Sequence, residues 1–159
     1  MPIYLVDNAD TVSKATLDSM KACGIKNVRV VGGRFAVSEK TLSTLRSNGF
    51  TVARTAGNTA YDTSKAIADW GIKTLKMKAD KMGVACGLDF KDALCGAPFC
   101  GKNNAVLVLA DSRNSKTCRP VASDNKDQIV SGYVFGGIYA VPKAVMNDYE
   151  RASGCPVSK

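Results

Sequence analysis

The chain contains no histidine. That absence removes Ser-His-Asp and Cys-His catalysis, and with them every His-ligated metal site. General acid–base chemistry is left to Asp, Glu, Lys or Tyr. No apolar run approaches the roughly 20 residues needed to span a bilayer. The opening Met1-Pro2-Ile3-Tyr4 enters an apolar stretch at once, without the basic-then-apolar pattern of a signal peptide. If the parent protein is secreted, its targeting segment is expected to lie outside this sequence. No Cys-x-x-Cys pair occurs among the six cysteines, which argues against a zinc ribbon or a thioredoxin-like site. Aromatic residues are 7 % of the chain and form no Gly-aromatic run of the kind that stacks bases, so nucleic acid is not the expected partner.

What is present is repetition. Val30-Val31-Gly32-Gly33-Arg34-Phe35-Ala36-Val37 returns as Val134-Phe135-Gly136-Gly137-Ile138-Tyr139-Ala140-Val141, 104 residues later. The same offset aligns Ile3-Tyr4-Leu5-Val6-Asp7 with Leu107-Val108-Leu109-Ala110-Asp111. A period of this length indicates a duplicated, domain-sized unit rather than a solenoid turn. Residues 2–51 read as the second half of one unit and 52–154 as a whole one, or the two as one continuous compact body. The chain is therefore expected to be a fragment or one member of a tandem array.

Hydrophobic residues make up 45 % of the 159, enough for a buried core. The formal charge is +8, from 22 Lys and Arg against 14 Asp and Glu, and favours anionic partners. The six cysteines, at 23, 86, 95, 100, 118 and 155, fit either one or two disulfides or buried free thiols.

Strand and helix signals alternate. Strands are expected at 3–6, 28–31, 50–54, 83–86, 105–110 and 131–135. Helices are expected at about 10–22, from Ser38 to near Gly49, over 59–82, at 91–101 and at 141–151. Ile67, Trp70 and Thr74 form the inward stripe of the long helix, and Thr59 with Asp62 forms its capping box. Pro98 should kink or split its helix, and 112–130 reads as loop with a short helix at most. Alternation with continuously apolar strands indicates an α/β fold: a three-layer, open, mostly parallel sheet with helices on both faces, flavodoxin-like or related.

The Gly-Gly pairs lie after strands and before helices, where phosphate loops occur. They match neither Gly-x-Gly-x-x-Gly nor a Walker loop, and a tight turn needing glycine dihedrals explains them equally. Asp7 and Asp111 end equivalent strands at the carboxyl edge of a sheet, a ligand position in open α/β folds or a place for turn hydrogen bonds. Asp89 and Asp92 suit a carboxylate pair, but Asp92 better suits a helix first turn.

From residue 51 onward the pattern resembles a known family. Arg54-Thr55-Ala56-Gly57-Asn58-Thr59-Ala60-Tyr61-Asp62-Thr63-Ser64 is similar to the Arg-Leu-Ala-Gly-x-Asp-Arg-Tyr-x-Thr-Ala segment of the cell wall-binding repeat type 2 family of Gram-positive surface proteins. Ala85-Cys86-Gly87-Leu88-Asp89-Phe90-Lys91-Asp92-Ala93-Leu94 resembles its Ala-Ser-Gly-x-x-Phe-x-Asp-Ala-Leu. Gly96-Ala97-Pro98, Asn104-Ala105-Val106-Leu107-Val108-Leu109 and both Gly-Gly-x-x-Ala-Val segments follow in order. Thr59 and Ala60 depart from the family's Asp-Arg, and Val106 from its proline.

The resemblance implies a non-catalytic module, usually in tandem copies, that holds surface proteins on anionic wall polymers outside the cell. No catalytic residue, metal, cofactor, nucleic acid or membrane insertion is expected; the partners are an anionic cell-wall polymer and neighbouring repeats. Arg54 and Tyr61 are candidate ligand contacts because they match family positions. Arg34 and Lys102 are candidates on charge and expected loop placement. The alternative is a structural module that packs on neighbouring copies without itself binding polymer. A third class, a small-molecule α/β enzyme, would need convergent acid–base groups at the strand ends.

Overall fold

Ser13 opens the first helix: its hydroxyl accepts the Thr16 amide at 3.1 Å, satisfying a donor that the helix itself cannot. The computed structural model describes residues 2–110 and 116–158, divided into two compact units, Met1–Asn58 and Thr59–Lys159. The first contains α1 (Lys14–Ala22), β1 (Asn27–Val31), α2 (Glu39–Ser47) and β2 (Thr51–Thr55). β1 and β2 pair in parallel, from Asn27 opposite Thr51 to Val31 opposite Thr55. Leu17 and Met20 of α1 meet Leu42 and Leu45 of α2 over Val30 and Phe50, and these six make the core. The i, i+3 spacing on both helices puts each pair on one face. Two donors of α2's start, the Ser38 amide and the buried Thr41 hydroxyl, share the Ala9 carbonyl at 2.8 Å each.

Two expectations fail in this unit. The first helix begins at Lys14 rather than residue 10, because Ser13 caps it. Residues 3–6 form no strand; apolar content alone does not make a strand when no neighbouring ladder accepts its backbone groups.

The second unit runs α3 (Ala60–Lys73), β3 (Lys81–Cys86), α4 (Lys91–Lys102), β4 (Val106–Ala110), α5 (Cys118–Asp124), β5 (Ser131–Phe135), α6 (Lys143–Ser153) and β6 (Val157–Ser158). Its sheet has the order β4-β3-β5-β6, parallel throughout. The expected strands other than 3–6 thus form, divided between two sheets, and β6 joins them without having been expected.

Successive residues of β3 serve opposite faces. Met82, Val84 and Cys86 join Val106, Val108 and Ala110 under Val121 and Ala122 of α5, Val145 and Tyr149 of α6, and Ala68 of α3. The other face carries α4. There the Phe99 ring lies 4.6 Å from Tyr133 and 5.8 Å from Phe135, edge-on to both. A Cβ on Gly96 would sit 2.5 Å from the Phe135 ring, so only glycine lets α4 approach this closely. Helices on both faces of a parallel sheet make the fold α/β in three layers, as the alternation predicts.

The capping box forms as expected: the Asp62 amide donates to Thr59 Oγ1 and the Thr59 amide to Asp62 Oδ2, both at 3.1 Å. The inward stripe of α3 does not. Ser64, Ala68 and Gly71 are its buried residues, not Ile67, Trp70 and Thr74. They are small because α3 lies against the edge strand β4, where the Leu109 amide donates to Ser64 Oγ at 3.0 Å. The helix also stops at Lys73 rather than running to 82. Lys76 adopts φ 58, a left-handed conformation incompatible with continuing the helix. Pro98 leaves α4 unsplit. It lies on the exposed side, so the Leu94 carbonyl it deprives of a donor faces water.

Candidate functional site

The two Gly-Gly segments fold identically. Gly32 has φ +112 and Gly136 φ +113, in a region open to glycine. The Ala36 and Val37 amides both donate to the Gly33 carbonyl at 3.0 Å, and Ala140 and Val141 repeat this on Gly137 at 2.9 Å. Two amides of each turn are thereby spent on the turn's own carbonyl. Their tips project side chains instead: Phe35 is 89 % exposed and Tyr139 94 %.

Arg34 stands on the first tip, its guanidinium carbon 5.3 Å from the Phe35 ring centre, within cation–π range. Arg54, on β2, reaches behind the same turn. It donates to the Gly32 carbonyl at 2.5 Å, the Val37 carbonyl at 2.7 Å and the Glu39 carboxylate at 3.1 Å. Its planar fork thus ties strand end, turn and helix start together. Tyr61 lies in the first turn of α3 with its ring over Gly87, where a Cβ would come within 2.3 Å of Cε1. Lys102 is exposed in the last turn of α4. Arg34 stands on the Gly32–Val37 turn and Arg54, from β2, hydrogen-bonds to that same turn; Tyr61 and Lys102 belong to the second unit, on different helices.

Asp7 is exposed and ends no strand, and Asp111 lies outside the described residues. Asp89 pairs with Lys91 at 2.6 Å, and that hydrogen bond holds its carboxyl below the usual carboxylate range. Asp92 sits in the first turn of α4, aimed at the Gly136 turn: a Cβ on Gly136 would lie 2.5 Å from Oδ2. All six cysteines are free thiols, Cys23 and Cys95 exposed and the others buried. Burial pushes the Cys118 thiol up to about 11 and raises Cys100 as well. Among the described residues, no acidic, cysteine or histidine cluster is arranged to hold a metal ion, and no helix is long and apolar enough to cross a membrane.

One surface feature has no counterpart in any sequence motif. Between α5 and α6 lies an open hollow of about 340 Å³ lined by Arg119, Ser123, Lys126, Asp148, Arg151 and Ala152. Three cations and one carboxylate line it, and Arg151 approaches Asp148 at 3.9 Å. The spacing is no motif, and the repeat carries no distinct signal. At the 104-residue offset, Arg119, Lys126 and Arg151 correspond to Ala15, Ala22 and Ser47, and the first copy carries its own cations one residue before each, at Lys14, Lys21 and Arg46.

Both copies thus share parallel strands, matching glycine turns and exposed turn tips. A sequence model of the family described as cell wall binding domain 2 matches residues 54–146, more than half of the chain. The chain belongs to the cell wall binding domain 2 family, whose setting is the cell wall or cell surface. It is 32 % identical over 146 residues to the N-acetylmuramoyl-L-alanine amidase LytC of Bacillus subtilis, covering 90 % of this chain and 28 % of that protein. It is 30 % identical over 112 residues to the amidase enhancer of the same organism, covering 70 % of this chain and 15 % of that protein. Among solved structures, Cwp6 from Clostridium difficile superposes with a TM-score of 0.82 at 21 % identity, over 95 % of this chain and 24 % of that one, a likeness of fold. The chain thus spans less than a third of each of these relatives.

Proposed function

We propose that this chain is a non-catalytic module that retains its parent protein on an anionic polymer of the cell wall, outside the cell. The observation that carries the proposal is the basic hollow of a chain belonging to a wall-binding family. Arg119, Lys126 and Arg151 stand around an open depression with Ser123 as a hydroxyl donor, an arrangement suited to the phosphate or carboxylate groups of a polyanion. Arg34 and Lys102 add exposed positive charge outside the hollow. Arg54 and Tyr61 contribute by holding the shape of the loops at the strand ends. The amidase chemistry in the name of one relative is assigned to the rest of that longer protein.

A second reading, in which the module packs on neighbouring repeats without touching polymer, draws on the exposed tips Phe35, Ile138 and Tyr139. Co-sedimentation with Gram-positive walls, before and after their anionic polymers are stripped and at two salt concentrations, separates the readings. Retention that falls with stripping and with salt supports polymer binding. Absence of retention at low salt transfers the function to repeat packing.

A further inference from the structure

Several aromatic rings of the chain are enclosed. Phe50 and Tyr149 are core residues, and Phe99 packs edge-on against Tyr133 and Phe135. Phe35 and Tyr139 are the opposite case: they are the most exposed large apolar side chains among the described residues. The 104-residue offset makes them equivalent, so each unit carries one ring at the same point of the same turn. Both turns are locked in their backbone. Gly32 and Gly136 share one positive φ, and the Gly33 and Gly137 carbonyls each hold two amides of their own turn. The Arg54 fork holds the first turn further, and the Asp92 carboxylate of α4 lies against Gly136 of the second. A ring on such a turn has only two side-chain torsions to fix on binding, so contact with it costs little conformational entropy.

We propose that Phe35 and Tyr139 are stacking platforms for sugar rings of the wall polysaccharide, one platform in each unit. The C–H groups on one face of a pyranose carry slight positive charge and meet the negative face of an aromatic ring. Arg34, within cation–π range of Phe35, is placed to take an acidic substituent beside the stacked sugar. Size favours this occupant over a protein. An aromatic side chain offers about 150–250 Å² of surface, enough to cover one sugar ring, whereas a stable protein interface needs roughly 800 Å² from each partner. The inference rests on the polymer reading for its occupant but not on the hollow, and it adds a contact that salt does not screen.

The test uses the full chain and soluble polysaccharide released from purified Gram-positive walls with its anionic groups intact. Affinity is measured at low and high salt for the intact chain, for the double variant Phe35→Leu with Tyr139→Leu, and for Phe35→Tyr with Tyr139→Phe. The leucines keep apolar surface and lose the flat ring. They should weaken binding about tenfold, comparable to removing an aromatic platform from a stacked base. The factor should be the same at both salts, because stacking is not screened as ion pairing is. The aromatic exchange should keep the affinity of the intact chain, and the ring proton resonances of Phe35 and Tyr139 should shift as polysaccharide is added. Equal affinity of the leucine variant, with the ring resonances unmoved, overturns the proposal; movement of Arg119 and Arg151 in the same titration leaves the polymer reading standing. No binding by the intact chain at low salt overturns both. Ring resonances that shift with protein concentration alone assign the tips to a second copy of the chain and overturn the sugar contact.

Discussion

The Arg54 guanidinium donates to the Gly32 carbonyl at 2.5 Å, locking the end of β2 to the turn that follows β1. Two further bonds, to the Val37 carbonyl and the Glu39 carboxylate, mean that one side chain ties three groups together, although Glu39 also has Arg46 at 4.0 Å. Arg54→Ala should cost about 1–3 kcal/mol, within the range for losing hydrogen bonds from a charged group. Arg54→Lys should recover little of it, since an ammonium cannot reproduce the fork. Denaturant unfolding checks both. For polymer binding this makes Arg34→Glu the informative substitution, because Arg54→Glu disturbs the turn itself.

Ser64 plays a comparable part in the second unit. Its hydroxyl accepts the Leu109 amide at 3.0 Å, while the Thr117 hydroxyl donates to the Leu109 carbonyl at 3.0 Å. Both backbone groups of Leu109 are thereby satisfied, which blunts that part of the edge against pairing with another chain. Ser64→Ala should destabilise by about 1–3 kcal/mol through the orphaned amide. It should also speed Leu109 amide exchange more than that of Val84 in the central strand.

The contrast between Ser64 and Ile67 shows what the sequence discloses and what it withholds. Alternation, glycine placement and the Thr59–Asp62 box identify the α/β class and nearly every element of the second unit. Helical periodicity also locates α3, but the more hydrophobic stripe is not the buried one, because an edge strand admits small residues in close contact. Residues 3–6 mislead for a related reason: strand character is local, whereas a strand needs a partner. The basic hollow is not legible in the sequence because Arg119 and Lys126 converge with Arg151 only after α5 folds against α6. The short β6 is not legible because two residues carry no periodicity.

Thiol chemistry tests the packing directly. A thiolate-selective reagent should label two cysteines in the native chain, Cys23 and Cys95, and all six after denaturation. Rapid native labelling of Cys86 or Cys118 would contradict the assigned core.

Stability should fall as pH rises above about 9. The Cys118 thiol has an ordinary value of 9.0 and is pushed up to about 11 by burial in the folded chain. Over that interval the unfolded chain has released a proton that the folded chain still holds, so unfolding is favoured as pH increases. Below 9 the contribution is present in full. Buried Tyr149 is shifted in the same direction, so Cys118→Ala should flatten the decline only in part. Urea unfolding at stepped pH measures it.

If anionic wall polymer is held at the α5–α6 hollow, reversing the charge there should weaken retention. The most direct measurement is the affinity for purified walls of the intact chain and of a triple variant, Arg119→Glu, Lys126→Glu and Arg151→Glu, at low salt. Circular dichroism and thermal unfolding establish that the variant remains folded. A loss of at least about tenfold, equivalent to roughly 1.4 kcal/mol, together with a weaker salt dependence, is the predicted result. Equal affinity of the folded variant would contradict the claim and remove the hollow from the binding surface.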